Sequence, residues 1–490
     1  MNNLLTSSEK RRLKVVDYLE KKRDWVNLEE LASASDCSSK TLLSDFKFFE
    51  ENWSDYLKLD FSKYRGARVS FNHLHNMHSL HKEVLQKSGV MRFLKEVFLE
   101  PNYSINEWGK KLFLSESSLY RMVRAIDKEF SPLGITFHTQ PCSIIGDKER
   151  HIRLLFSNFF EQVYEIYYWP FADINRERLV KMVQRIGQKL GRKMDDRLLN
   201  QVAIAVAVTL IRMKQGFLLK SIRANSKSDQ LVYNTMLDEK EYLAAALDFE
   251  LAQGWELEIA QTVMHFLYAW DNEGEKVRIS EFVSSFIHNL STELNVEILP
   301  DNKQQVIDRL ISIYTSYKSF PHQYCFIPNY FSSRPSRITD DYQEFCVKVQ
   351  EELQLLERKM LFPWYSEMFY AVLEALFSEW RDLPIRLEEE KKKINILIVS
   401  TFGTNHAYTL KSRMNIHFSH EMQAQVYEGK IFDLLLATSG LDEYDIILSN
   451  SYMSELPKDK LFLVDTIIST KQLADLAVRI HHLQLKKKLT

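Results

Sequence analysis

Residues 28–46 read LEELASASDCSSKTLLSDF. Leu28, Leu31 and Ala32 recur at i, i+3, i+4, which predicts a short helix with one apolar stripe. Ser35, Asp36 and Cys37 then interrupt the pattern. Ser38 can cap a second helix whose buried stripe would be Leu42, Leu43, Phe46 and Phe49. The small Ala32 allows the two helices to cross closely. The outward side of the second helix is short, polar and basic: Ser38, Ser39, Lys40, Thr41, Ser44 and Lys47. RRLKVVDYLEKK at 11–22 supplies a preceding helix. YLKLDFSKYRGARVSF at 56–71 alternates as a two-stranded wing, with Lys63, Arg65 and Arg68 near its tip.

The same pattern returns 77 residues later without gaps, as INEWGKKLFLSESSLYRMV at 105–123. Leu28 falls on Ile105, Leu31 on Trp108, Ala32 on Gly109, Ser38 on Ser115, Leu42 on Leu119 and Phe46 on Val123. A long helical stretch at 75–99 precedes this copy, and GITFHTQPCSIIGD at 134–147 offers its wing. Its outward face holds Ser115, Glu116, Ser117, Tyr120, Arg121, Arg124 and Lys128, with Arg121 and Arg124 suited to guanine edges or phosphates. A plain helical hairpin would account for the apolar positions. The polar second helix, small residue, serine cap and wing, occurring twice, predict tandem winged helix-turn-helix units that bind duplex DNA. Lys40 and Lys47 are point charges, so the first unit is expected to grip phosphate and favour DNA shape.

The rest of the chain is compatible with that reading. Its 490 residues suggest roughly three to five domains. With 45% hydrophobic residues, 27% charged, and only 13 Gly and 11 Pro, a folded, mainly helical protein is expected. No apolar run reaches the length of a membrane span, MNNLLTSSEKRR has no signal-peptide core, and Cys37, Cys142, Cys325 and Cys346 have no framework spacing. A cytoplasmic protein without membrane contact follows. Net charge is −2, split as 24 Lys+Arg against 21 Asp+Glu in residues 1–150 and 40 against 45 beyond, an asymmetry of the right sign but too small to argue from.

From about 150 to 387 aromatic and aliphatic residues recur at helical spacing. EIAQTVMHFLYAWDNEG at 258–274 and SEMFYAVLEALFSEW at 366–380 share an acidic start, an apolar stripe and a polar residue seven places on, His265 in one and Glu374 in the other. VAIAVAVTLIRMKQG has a looser counterpart in VIDRLISIYTSYKSF, so a duplicated helical bundle is expected. LEEEKKKINILIVS at 387–400 reads as a charged linker opening onto a buried strand. NHAYTLKSRM, YDIILSN, KLFLVD and KQLADLAVRIHHLQL then alternate helix and strand, predicting a small α/β domain with a mostly parallel sheet.

In this order the parts resemble the Mga and AtxA type of Gram-positive regulator. The family likeness implies phosphotransferase-system regulation domains in the middle and a IIB-like domain at the end. It implies activation of transcription in virulence or carbon-source control, and a homodimer formed through the regulation and IIB-like domains. Histidines of such domains take phosphate from phosphocarrier proteins of the sugar phosphotransferase system, and His265 is the matching candidate. Gln201 stands where another histidine is common, and His322 is a looser one. The IIB loop carries a cysteine in the family; here Ser400 or Thr401, then Phe402 and Gly403, occupy it, so no catalysis is expected.

The expected division is 1–72 and 73–147 for the winged units, 148–276 and 277–387 for the bundles, and 393–490 for the IIB-like domain. An RNA-binding antiterminator and a phosphotransferase-system enzyme are the alternatives; the helical N-terminus disfavours the first and the missing cysteine the second. HLHNMHSLH at 73–81 has four histidines without a full ligand set, so no metal or other cofactor is expected, and no nucleotide or hydrolase motif occurs.

Overall fold

The computed structural model describes residues 4–22, 24–189, 194–219, 227–267, 273–319, 326, 336–436 and 440–488. It is mainly helical and contains two compact units, residues 1–277 with 314–330, and residues 278–313 with 331–490.

The first unit begins with α1 (Ser7–Lys22), α2 (Leu28–Ala34), α3 (Ser39–Asn52), β1 (Leu57–Ser62) and β2 (Gly66–Phe71). The antiparallel wing pairs Leu57 with Phe71 and Ser62 with Gly66. A bridge unforeseen in the sequence adds a third edge: Val26 exchanges both backbone hydrogen bonds with Ala67, at 2.9 and 2.8 Å. Gly66 makes this approach possible, because its φ is +92° and a Cβ there would lie 1.9 Å from the Val26 carbonyl.

The second copy consists of α4 (Met77–Lys87), α5 (Gly89–Leu99), α6 (Ile105–Leu112), α7 (Glu116–Phe130), β3 (Ile135–Thr139) and β4 (Cys142–Gly146). The single helix expected over 75–99 is two helices. Ser88 adopts ψ 129°, and Gly89 packs so closely on α7 that a Cβ would meet Met122 Cε at 2.9 Å. His81, in the histidine run, is buried on α4, whereas His75 packs its ring 4.3 Å from Tyr56. The histidines therefore point to different surroundings.

The same unit continues with α8 (Glu149–Val163), α9 (Arg176–Lys189), α10 (Asp196–Lys214), α11 (Lys227–Asp238), α12 (Lys240–Ala244) and α13 (Trp255–Leu267). Helix α10 is buried from Val202 to Met213, as its VAIAVAV run demands. One hydrophobic core runs from Leu4 through both winged copies to Val263. Polar ties supplement it. Arg212 donates to the Ile144 carbonyl of β4 at 3.1 Å and pairs with Glu149 at 2.7 Å. Lys82 donates to the Tyr164 carbonyl at 2.8 Å, and Gln215 to the Phe98 carbonyl at 2.7 Å.

In the second unit, helices Gln343–Met360 and Phe369–Glu379 pack through Phe345, Val349, Leu353, Val372 and Leu376. The segment expected as a charged linker starts as the last turn of helix Leu383–Glu389. The sheet that follows is wholly parallel: β5 (Ile394–Val399), β6 (Met422–Val426), β7 (Ile446–Ser449) and β8 (Leu461–Leu463), in the order β6-β5-β7-β8. Ile394, Ile396 and Ile398 face the core under helices Thr404–Phe418 and Thr470–Lys488, while Leu397 and Val399 face Leu434, Met453 and Leu456. Covering on both faces explains the unbroken INILIV run. MQAQV of β6 gave no strand signal in the sequence because Gln and Ala have little strand preference.

Candidate nucleic-acid interface

Each helix-turn-helix starts from a cap. Ser38 Oγ accepts from the Thr41 N–H at 3.2 Å, and Ser115 Oγ from the Ser118 N–H at 3.3 Å, relieving the orphan donors of α3 and α7. The turns have the same geometry at the same register. Asp36 has φ 51° and Phe113, 77 residues on, φ 56°. The Cys37 N–H donates to the Ala32 carbonyl at 3.1 Å, and the Leu114 N–H to the Gly109 carbonyl at 2.9 Å. A Cβ at Gly109 would stand 3.0 Å from the Leu114 carbonyl, so a small residue is needed there.

Burial orients the helices. Leu42, Phe46 and Phe49 in α3, and Leu119, Val123 and Ile126 in α7, are buried. Leu43, expected in the buried stripe, is instead 46% exposed: the inward places at i, i+3, i+4 and i+7 are Leu42, Asp45, Phe46 and Phe49, and Leu43 lies beside that stripe. Asp45 is buried and accepts from Arg11 Nε at 2.7 Å and Arg12 Nε at 2.8 Å, fastening α3 to α1. The Asp45 carboxylate also holds the Arg11 guanidinium above its ordinary pKa. Arg12 lies 3.4 Å above the Phe48 ring. The sequence contained this anchor, but a lone acidic residue on a polar helix reads as surface until its two arginine partners are placed.

What remains outward is a stripe on each helix. On α3 it is Lys40, Leu43, Ser44 and Lys47, with Ser38 and Ser39 beside its start and Thr41 partly covered. On α7 it is Ser117, Tyr120, Arg121 and Arg124, with Ser115, Glu116 and Lys128 at its ends. Arg121 is braced by a 3.2 Å hydrogen bond to Ser118 Oγ, and Lys47 stands 3.7 Å from Glu51. Residue by residue, the two stripes match at the 77-residue interval.

The first wing differs in detail from expectation. Lys63 and Arg65 are exposed at its tip, around a Tyr64 that is wholly exposed. Arg68 is mid-strand, bonded to Asp60 at 2.8 Å and 5.2 Å from the Trp25 ring centre, so it is already committed. Its hydrogen bond, with that of Lys58, holds the Asp60 carboxyl below its usual range.

Elsewhere, His265 belongs to α13, but its side chain lies outside the described residues, as does His322. Gln201 donates to Glu161 at 2.5 Å, and Glu374 is half-buried. At the loop after β5, expected from the sequence as IIB-like, the hydroxyls of Ser400 and Thr401 are both occupied. Thr466 O can only accept, so His406 Nε2 donates to it at 2.7 Å, while Nδ1 and Ser400 Oγ share a 2.7 Å hydrogen bond. Thr401 and Asn450 exchange two 2.9 Å hydrogen bonds. Among the described residues no helix is long and apolar enough to cross a membrane.

Comparison with known proteins agrees with this geometry. Residues 75–160 match the Mga helix-turn-helix domain, a span that covers α4 to β4 and most of α8. A Streptococcus pneumoniae protein described as a candidate trans-acting regulator is 21% identical over 95% of this chain and 96% of its own. The capsule synthesis positive regulator AcpA of Bacillus anthracis is 21% identical over 89% of this chain and 91% of its own. The anthrax toxin expression trans-acting positive regulator of the same organism is 19% identical over 53% and 54%. The tandem fold and these matches make the chain similar to regulators of the Mga/AtxA type.

Proposed function

We propose that this chain is a cytoplasmic transcription activator that binds double-stranded promoter DNA through α3 and α7. The observation that carries the reading is the pair of matched, solvent-facing stripes, each on a capped helix whose opposite face is buried. Arg121 and Arg124, one turn apart, would contact guanine edges or phosphates; Lys40, Lys47, Lys63 and Arg65 would add phosphate contacts that position the duplex. Serines 38, 39, 44, 115 and 117, with Thr41 and Lys128, would border the groove.

The remaining parts are assigned roles in the same proposal. Residues 148–276 and 277–387 would be paired regulation domains and 393–490 a IIB-like domain that joins two copies of the chain. Phosphocarrier proteins of the sugar phosphotransferase system would modify His265; the added phosphate brings nearly two negative charges to α13. Intact-mass measurement in alkali after incubation with those carriers should show one added phosphate, absent in His265→Ala.

The deciding experiment is titration of the purified chain onto duplex DNA and onto a stem-loop RNA at several salt concentrations. Duplex preference with a steep salt slope is expected. Equal binding to both, or none to duplex, would overturn the reading.

A further inference from the structure

Leu43 and Tyr120 occupy the same place in the two repeats, mid-stripe between Lys40 and Lys47 on α3 and between Ser117 and Arg124 on α7. They are 46% and 42% exposed. Neither is needed by the core beneath, which Leu42, Phe46 and Phe49 and Leu119, Val123 and Ile126 already fill. A large apolar side chain at the centre of a cationic helix face, repeated in both copies, matches a surface that is anionic at its edges and apolar within. In the major groove of duplex DNA the phosphates provide the edges, and the apolar group is the C5-methyl of thymine.

We propose that Leu43 and Tyr120 read thymine methyl groups, making the two recognition helices selective for A·T pairs at their centres. This rests on the duplex-binding reading above and adds a base preference to it. Lys40 and Lys47 add to how strongly the chain holds the phosphates; Leu43 and Tyr120 add a thymine preference to where it stops. Each methyl contact removes roughly one methylene's worth of apolar surface from water, so its removal should weaken binding about fourfold.

The test uses the full chain and the duplex it selects from a randomised pool, synthesised with thymine, with uracil, and with 5-bromouracil, whose bromine fills the methyl's space. The wild-type chain should bind the uracil duplex severalfold more weakly and the 5-bromouracil duplex nearly as well as thymine. L43A combined with Y120A should erase that difference while leaving the salt slope unchanged, a combination that a merely structural role would not produce. Y120F should retain it, because the ring makes the contact. Equal wild-type binding to the thymine and uracil duplexes would overturn this proposal alone; so would discrimination that survives in the double variant. Absence of any duplex binding would overturn the DNA reading as well.

Discussion

Asp45 carries more of the first winged unit than its single charge suggests. Its carboxylate is buried under two arginines, so Asp45→Ala leaves Arg11 and Arg12 facing each other without a counter-ion. Both guanidinium groups retain some access to water, which limits the cost to about 2–3 kcal/mol; a lowered urea midpoint would register it. Gly66→Ala should cost at least about 2 kcal/mol, since the new Cβ would overlap the Val26 carbonyl and φ is +92°. Measured by melting, this change should also loosen the Val26–Ala67 bridge. His81 gives a pH signature. Burial is the main cause that lowers its pKa from 6.5 to about 4, against the opposing field of Asp17 and a backbone bond to Met77. The unfolded imidazole therefore binds a proton between these values and the folded one does not. Stability should fall by about 3 kcal/mol as pH drops from 6.5 to 4, with no contribution above 6.5. His81→Leu should flatten that part of the urea-midpoint profile; an unchanged profile would exclude His81 as its source.

At the scale of elements, α3 and α7 were readable in advance because a capping serine and a 3.6-residue apolar rhythm are local properties. Their outward faces were readable for the same reason, and Leu43 belongs to that face because Leu42, Asp45, Phe46 and Phe49 take the inward i, i+3, i+4, i+7 places. The break at Ser88 had a local sign, the Ser88–Gly89 pair, which the helical rhythm on either side of it masked. Changing Arg121 and Arg124 together to Ala should weaken duplex binding and lower the salt slope by about 2, one for each phosphate no longer neutralised. Filter binding across salt concentrations would measure it, and circular dichroism should show an unchanged helix content because both side chains are exposed. A slope and an affinity both equal to those of the wild type would remove these arginines from the interface.

Over the molecule as a whole, the first unit is held by buried polar ties as well as by its core. Arg212, 1% exposed, links α10 to β4 and to Glu149. Arg212→Leu should cost about 3 kcal/mol, because the largely buried Glu149 is then left with the longer, 3.3 Å pairing to Arg153. Hydrogen exchange should quicken at Ile144–Gly146 while β1–β2 keeps its protection. Equal protection in both wings would show that β4 needs no support from α10. The caps, the helical rhythm of each recognition helix and its recurrence 77 residues on, and the strands β5, β7 and β8 with the helices between them were determined by the sequence itself, since the signal of each element comes from residues within a few turns of one another. Tertiary structure alone decided that Asp45 is buried under Arg11 and Arg12, that Arg68 is spent on Asp60, that Val26 completes the wing, and that Ser400 is held by His406. Each of these depends on partners brought together by folding from distant places in the chain or across a hairpin, and the free energy that selects them comes from burial and pairing that no local pattern encodes.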